Sequence, residues 1–446
     1  MPSQSKSVHF ISLGCSRNLV DSEMMLGALQ ENNYTLSDQA AQAELIVVNT
    51  CGFIDSAKQE SVDTILEAAQ FKYEDKGICK HLIVTGCLSE RYPGELKKNI
   101  PEIDVIMGST GFSQIIEAVE ALDTDNNFSY TKNFKKDYDI PRVNSQPFYT
   151  AYLKLAEGCA KRCSFCVIPK IRGPLRSRSH NSLIREALSL CQNGAVELNL
   201  IAQDLTDYGR DRKEDNALEN LLKDLVKIKS LKWIRLFYTY PDQLNDEIIS
   251  LIKNEDKICT YLDVPVQHIS DSVLKGMNRK TTGTDIENMI IKLKKEIPDI
   301  VLRTSLMVGF PNESDEDFTL LKSFVEKGYF EHIGIFTYSH EEESLSYKNF
   351  EDLVPQEIKE KRREELYGVQ QEVLQTKLKK YLGQEIDVLI EGAHDETPLL
   401  LKSRHFGQGP GVDNYTLINE GQAQVGEIVR VKINDLVGID LLAAIV

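Results

Sequence analysis

The 446-residue chain has no stretch of about 18 apolar residues, so no segment is expected to cross a membrane. Its first residues, MPSQSKSVHFISLGCSRN, contain no apolar run after a basic start and no small-residue cleavage site, so no secretory signal is expected. Positive charge is scarce: 52 Lys and Arg stand against 68 Asp and Glu, a net charge of −16. This argues against a protein whose main task is gripping nucleic-acid phosphates, although a local basic patch can coexist with such a balance. Internal repeats and low-complexity tracts are also missing. These absences leave a cytoplasmic, soluble enzyme with no membrane partner as the expectation. With 41% apolar and 27% charged residues, the chain can bury large cores in about three domains. Its nine cysteines, in a reducing compartment, point to metal binding or catalysis rather than disulfides.

Along residues 1–123, strand-like runs (VHFISLGC, ELIVVNTC, HLIVTGC, IDVIMG) alternate with helical patterns near 20–32, 56–72 and 112–121. That alternation predicts a parallel sheet covered on both faces. Residues 124–147 are polar and read as a linker. From 148 the alternation resumes, with strands expected at 151–156, 196–202, 233–238, 260–265, 300–308 and 332–338. Six βα units are too few for a closed eight-unit barrel, so a partial (βα)6 barrel is expected. Residues 355–382 read as one long, charged, solvated connecting helix that completes a 148–382 domain. Short strands between Gly, Asp and Asn turns in 383–446 predict a small all-β barrel. The fold class is therefore α/β for the first two domains, followed by the β-barrel.

The sharpest motif is EGCAKRCSFCVIP, where Cys159, Cys163 and Cys166 are spaced C-x3-C-x2-C just past the first strand of the partial barrel. Three thiolates this close can wrap one face of a [4Fe–4S] cube. Full protein ligation needs four cysteines, so one iron is left open. An open iron can take the amino and carboxylate groups of S-adenosylmethionine (SAM), whose reductive cleavage yields a 5′-deoxyadenosyl radical. A zinc site would need a fourth ligand, and no nearby Cys or His supplies one.

Cys15, Cys51 and Cys87 are far apart in sequence, yet each follows a predicted strand and stands beside Gly14, Gly52 or Gly86. Strand ends of a parallel sheet gather along one crevice, so the three can meet. They can equally be small buried hydrophobes. Cys79, Cys191 and Cys259 lack such placement and read as core residues. The basic run Lys161, Arg162, Lys170, Arg172, Arg176 and Arg178 around the cysteine loop reads either as an anion-steering patch or as a solvated loop.

Taken together, these residues resemble the methylthiotransferase family of radical SAM enzymes over nearly the whole chain. The resemblance implies an N-terminal methylthiotransferase domain, a radical SAM core and a C-terminal TRAM domain. It implies two [4Fe–4S] clusters, on Cys159, Cys163 and Cys166 and on Cys15, Cys51 and Cys87, with SAM as radical source and methyl donor. SLGCSRNLVDSE, VNTCGFIDSAKQES, IPKIRGPLRSR, ELNLIAQD, PVQHISDSVLKGMNR and VGFPNES are most similar to members that modify an aspartate of small-subunit ribosomal protein twelve. The tRNA-modifying members share the cysteines, and a non-catalytic iron–sulfur carrier is the alternative of another class. In the TRAM domain, QGPGVDN departs from the Ala-Pro-acidic segment expected before Val-Asp, which bears on how substrate docks. The resemblance further implies SAM contacts among Glu197, Asn199, Gln203, Gln267, His268, Arg303, Ser305, Gly309, Phe310 and Pro311. It implies a flavodoxin- or ferredoxin-like electron donor and a sulfur donor as partners.

Overall fold

The computed structural model describes residues 6–122 and 141–446, so only 141–147 of the expected linker falls within it. The first unit is a parallel sheet of β1 (Lys6–Ser12), β2 (Tyr34–Leu36), β3 (Leu45–Thr50), β4 (His81–Gly86) and β5 (Val105–Ile106). Its strand order is β2-β1-β3-β4-β5. Every residue of β3 is buried, as a strand covered on both faces requires. The chain moves from β1 to β2 in one direction and then to β3 in the other. That reversal opens a crevice at the carboxyl ends of β1 and β3.

The second unit begins with β6 (Thr150–Lys154) and a small hairpin of β7 (Ala156–Glu157) and β8 (Arg176–Ser177). β9 (Glu197–Ile201), β10 (Trp233–Leu236), β11 (Ile258–Asp263), β12 (Val301–Val308) and β13 (His332–Thr337) follow. The open sheet runs β6-β9-β10-β11-β12-β13, all parallel. One face, with Leu198, Leu200, Leu236, Leu262, Leu302 and Leu306, buries under the helices. Strand alternation turns Glu197, Asn199, Arg235, Tyr261, Arg303 and Ser305 to the inner face. The third unit is a closed barrel of β14 (Glu385–Ala393), β15 (Leu401–His405), β16 (Thr416–Glu420), β17 (Ile428–Val437) and β18 (Asp440–Ile445). Cys79, Cys191 and Cys259 pack into three different cores.

Two sequence expectations need correction. Helix Gln356–Leu378 is not merely a solvated connector, because it packs along β13 and helix Asp315–Glu326. Its Leu366 is fully buried, Arg362 Nη1 lies 3.0 Å from Glu313 Oε1, and the Lys359 stem runs beneath Gly309. Long cationic side chains bury their methylenes in this way and hide the apolar face from a sequence pattern. The basic run is neither a steering patch nor a solvated loop as a whole, since Arg172 and Arg178 are buried in ion pairs. The QGPGVDN segment leaves Gly411 and Val412 exposed but turns its other residues inward. It plugs the inner face of the open sheet: Asp413 accepts from Tyr261 at 2.8 Å and pairs with Arg303 at 3.3 Å. Next to it, His332 Nε2 donates to the Gly407 carbonyl at 2.9 Å.

Candidate functional site

Cys15, Cys51 and Cys87 follow β1, β3 and β4, so they stand at the carboxyl edge of three adjacent strands. The neighbouring glycines report how closely the loops meet. A Cβ on Gly14 would lie 2.8 Å from Cys51 Cβ, and one on Gly52 would lie 2.7 Å from the Leu88 nitrogen. Gly86 has φ +103°, and its Cβ would come within 2.4 Å of the Thr50 carbonyl oxygen. No other residue type fits there without prising the loops apart. Burial would raise the Cys15 thiol, but Arg17, Arg172 and the backbone N–H groups of Asn18 and Arg17 outweigh it and lower its pKa. Cys15 caps helix Ser16–Glu31, a position that favours thiolate. Burial pushes Cys87 up to about 11 against the pull of Arg172.

The second trio occupies the loop between β7 and β8, with all three cysteines half-buried. Backbone bonds fix the loop: Cys159 N–H to Gly173 O at 3.2 Å and Ser164 N–H to Met277 O at 2.9 Å. Burial raises Cys159 to about 11 and Cys166 to about 12, so both are neutral thiols until a metal displaces the proton. Arg279 Nη1 lies 3.8 Å from Cys163 Sγ. Its guanidinium and the Lys161 ammonium both pack on the Tyr240 ring, at 4.1 and 4.2 Å.

The two trios face one another. Cys87 packs with Phe53, Val167 and Ile171, the last two directly after the Cys166 loop. Arg172 spans the seam, with Nη2 3.6 Å from Cys87 Sγ and 3.0 Å from Asn18 Oδ1, and Nη1 2.6 Å from Asp21 Oδ2 and 3.2 Å from Glu157. Burial would raise Glu157, but Arg172 and Lys154 hold it at about 2. Gln203 Nε2 reaches the same carboxylate at 3.2 Å. Further out, Arg91 Nη1 binds Gly52 O at 2.7 Å and Glu341 Oε2 at 2.9 Å, pinning the Cys51 and Cys87 loops to the segment after β13. Among the described residues no three His, Cys, Asp or Glu side chains converge on a single ion.

The sequence-chosen cofactor contacts divide into groups. Gln203, Gln267, Gly309, Phe310 and Pro311 follow β9, β11 and β12 at the carboxyl edge, beside the cysteine loop. Gln267 holds φ +72°, a strained conformation typical of functional sites. The Gln203 Oε1 atom is buried without a hydrogen-bond partner among the described residues. Phe310 packs with Met277 and Tyr338, and Phe165 of the cysteine loop leans on the same cluster. Ser305 is half-buried on the inner face.

The others lie elsewhere. Glu197 opens β9, and Arg404 takes its carboxylate at 2.7 Å with Arg235 at 3.2 Å, so it ties the sheet to the C-terminal barrel. Asn199 is buried beside Thr150, and Arg303 is held by Asp263 and Asp413. His268 is fully buried, with its pKa lowered to about 4 by burial; its charged neighbours are Asp317 and Arg362 of the outer helices. Glu197, Asn199 and Arg303 were placed by the resemblance and by strand position, neither of which reveals that the C-terminal barrel fills the lower inner face. Sequence reasoning also missed Arg17, Tyr238, Tyr240 and Arg279. Tyr238 and Tyr240 directly follow the strand WIRL, so the strand-end rule used for the others could have found them.

Three family profiles match the chain: the uncharacterised protein family UPF0004 over residues 7–108, the radical SAM superfamily over 153–325 and the TRAM domain over 382–446. The chain is 48% identical over 444 residues to the ribosomal protein uS12 methylthiotransferase RimO of Citrifermentans bemidjiense, covering 99% of this chain and 98% of that one. It is 46% identical over 446 residues to the protein of the same name from Syntrophotalea carbinolica, covering 99% and 97%. Among solved structures it is similar in fold to the radical SAM methyltransferase TsrM of Kitasatospora setae. The TM-score there is 0.57 at 16% identity, over 74% of this chain and 73% of that one. The matched radical SAM and TRAM profiles, the open (βα)6 sheet and full-length identity of this order lead to one assignment: the chain belongs to the ribosomal protein uS12 methylthiotransferase family of radical SAM enzymes.

Proposed function

We propose that this protein inserts a methylthio group at the β-carbon of an aspartate in ribosomal protein uS12. It would use SAM and two [4Fe–4S] clusters, one on Cys159, Cys163 and Cys166 and one on Cys15, Cys51 and Cys87. The observation that carries this reading is the facing of two three-cysteine sites across the Phe53–Val167–Ile171 seam. When bound, a reduced cluster and SAM supply a carbon radical able to take hydrogen from an unactivated C–H bond, which no side-chain base could deprotonate. The chain's own residues hold and shield this chemistry. Phe165, Phe310 and Tyr338 wall the cysteine loop with apolar surface. Gln203, with its orphaned oxygen, Gln267, Ser305 and the Gly309–Pro311 turn are the groups offered to SAM. Glu197 and Arg303, held in ion pairs with arginines and aspartates, serve the framework instead, whereas Asn199 Oδ1 and His268 Nε2 are buried without a partner among the described residues, as Gln203 Oε1 is. An electron donor of flavodoxin or ferredoxin type, a sulfur donor and a cytoplasmic location belong to the same proposal, as do domain divisions at 123, 147 and 382.

Anaerobically reconstituted protein should carry about eight irons, two cubes' worth, and the triple Cys159, Cys163, Cys166→Ala variant about half. With SAM and reductant, mass analysis should find the methylthio group on uS12 and not on tRNA. Insertion into tRNA adenosine would replace this reading with the tRNA-modifying one, and failure to cleave SAM at all would leave a mere electron carrier.

A further inference from the structure

Between the two cysteine trios lies a guanidinium that the reaction scheme above does not use. Arg17 sits two residues after Cys15, in the first turn of helix Ser16–Glu31. It leaves the first sheet and crosses to the carboxyl edge of the second. There its Nη1 donates to the Ala202 carbonyl, just past β9, at 2.9 Å, and its plane lies 4.4 Å over the ring of Tyr238, just past β10. Tyr238 itself holds φ +58°, a costly backbone conformation that sets its ring under the cation.

Arg17 differs from Arg172 and Arg142 in what neutralises it. Arg172 meets Asp21 and Glu157, and Arg142 meets Glu23 and Glu186. The partners of Arg17 are a carbonyl oxygen and an aromatic face. Its backbone stands two residues from Cys15, and its side chain ends at the carboxyl edge of the second sheet, beside which the loop of Cys159, Cys163 and Cys166 lies. A half-buried positive charge left without a carboxylate is costly unless an anion completes the site. The cubes carried by the two trios are negatively charged when held by thiolates, and each gains one further negative charge when an external low-potential carrier reduces it. Hydrogen bonds and nearby charge are the levers by which a protein sets such potentials.

We propose that Arg17 is a positioning residue shared by the two iron–sulfur clusters, one fixed cation that favours the reduced state of both. Arginine suits the place because its planar group stacks on Tyr238 while its fork still donates to the Ala202 carbonyl and carries further N–H groups; lysine lacks that planar fork. The inference rests on the two-cluster reading.

Potentials of the full-length, anaerobically reconstituted protein test it, with each cluster observed alone in the background that lacks the other cysteine trio. Arg17→Met should move both midpoint potentials to more negative values, and Arg17→Lys should move them less. Iron content is measured alongside. Should Arg17→Met fail to hold the clusters, Arg17→Gln, which keeps a donor and loses the charge, decides with the same expected sign. A shift confined to the Cys15 cluster, or no shift at either, overturns the proposal. A wild-type protein that binds only four irons overturns the two-cluster reading instead, so the two failures are told apart.

Discussion

At the scale of single residues, the cysteine spacing of the second trio was legible because three ligands within eight positions constrain one loop. The first trio is not legible in spacing; its placement after three predicted strands, each beside a glycine, allowed the three to meet, and the strand order β2-β1-β3-β4-β5 sets β1, β3 and β4 side by side. The adjacent glycines held the decisive clue, since each one's missing side chain marks a contact between loops. Gly86 is the most exacting, with both its positive φ and the 2.4 Å approach to Thr50 O excluding a Cβ. Gly86→Ala should therefore displace Cys87 and halve iron loading, leaving about four irons on the barrel trio. Retention of all eight in a folded Gly86→Ala protein would show that the Cys87 loop tolerates movement and that this trio is not tightly preorganised.

At the scale of elements, alternation gave the strands of both parallel sheets and their helices, while short or context-dependent pieces escaped. The edge strand Tyr34–Leu36 has three residues and no pattern to read. Helix Gln356–Leu378 showed mainly its charge, because Lys359, Arg362 and Gln370 share its buried face with Leu366, Leu374 and Leu378. Glu197 is the instructive case. Its place on the second strand suggested a cofactor contact, yet β15 delivers Arg404 to it across the sheet. Burial would raise this carboxyl, but Arg404 and Arg235 bring it from 4.5 down to about 2. Because the folded value lies below the unfolded one, the strut stabilises the fold above pH 4.5 and loses that contribution as pH falls toward 2. Glu197→Gln leaves two buried arginines short of a counter-charge, so chemical denaturation should show a loss of about 3–5 kcal/mol. Its stability should also vary less with pH over that acidic range. An unchanged stability would mean that Glu391 alone suffices for Arg404, to which it stands at 2.7 Å.

At the scale of the whole molecule, net charge was the least specific sequence signal, and the structure sharpens it. Residues 383–446 contain four cations, Lys402, Arg404, Arg430 and Lys432, against ten acidic residues. One of the four, Arg404, is sealed in the interface with the central sheet and offers nothing to a partner. Two others already face carboxylates, Lys402 at Asp395 and Arg430 at Asp387. A phosphate backbone binds proteins by releasing counterions to free lysines and arginines, and this barrel has few to give. A basic ribosomal protein meets the opposite situation, since complementary potentials speed its encounter and fix its orientation. The barrel is also no detachable module. Asp413, His332 and Arg303 lock its 405–413 loop into the sheet, so whatever docks on the barrel docks at a fixed orientation to the cysteine sites. The intact protein should accordingly bind uS12 with an affinity that falls as salt is raised across a range in which screening lengths shrink below about 10 Å. Binding to tRNA should be weak at every ionic strength. Tighter binding of tRNA than of uS12 by the intact protein at equal salt would mean that a basic face elsewhere on the molecule, not the acidic barrel, selects the substrate.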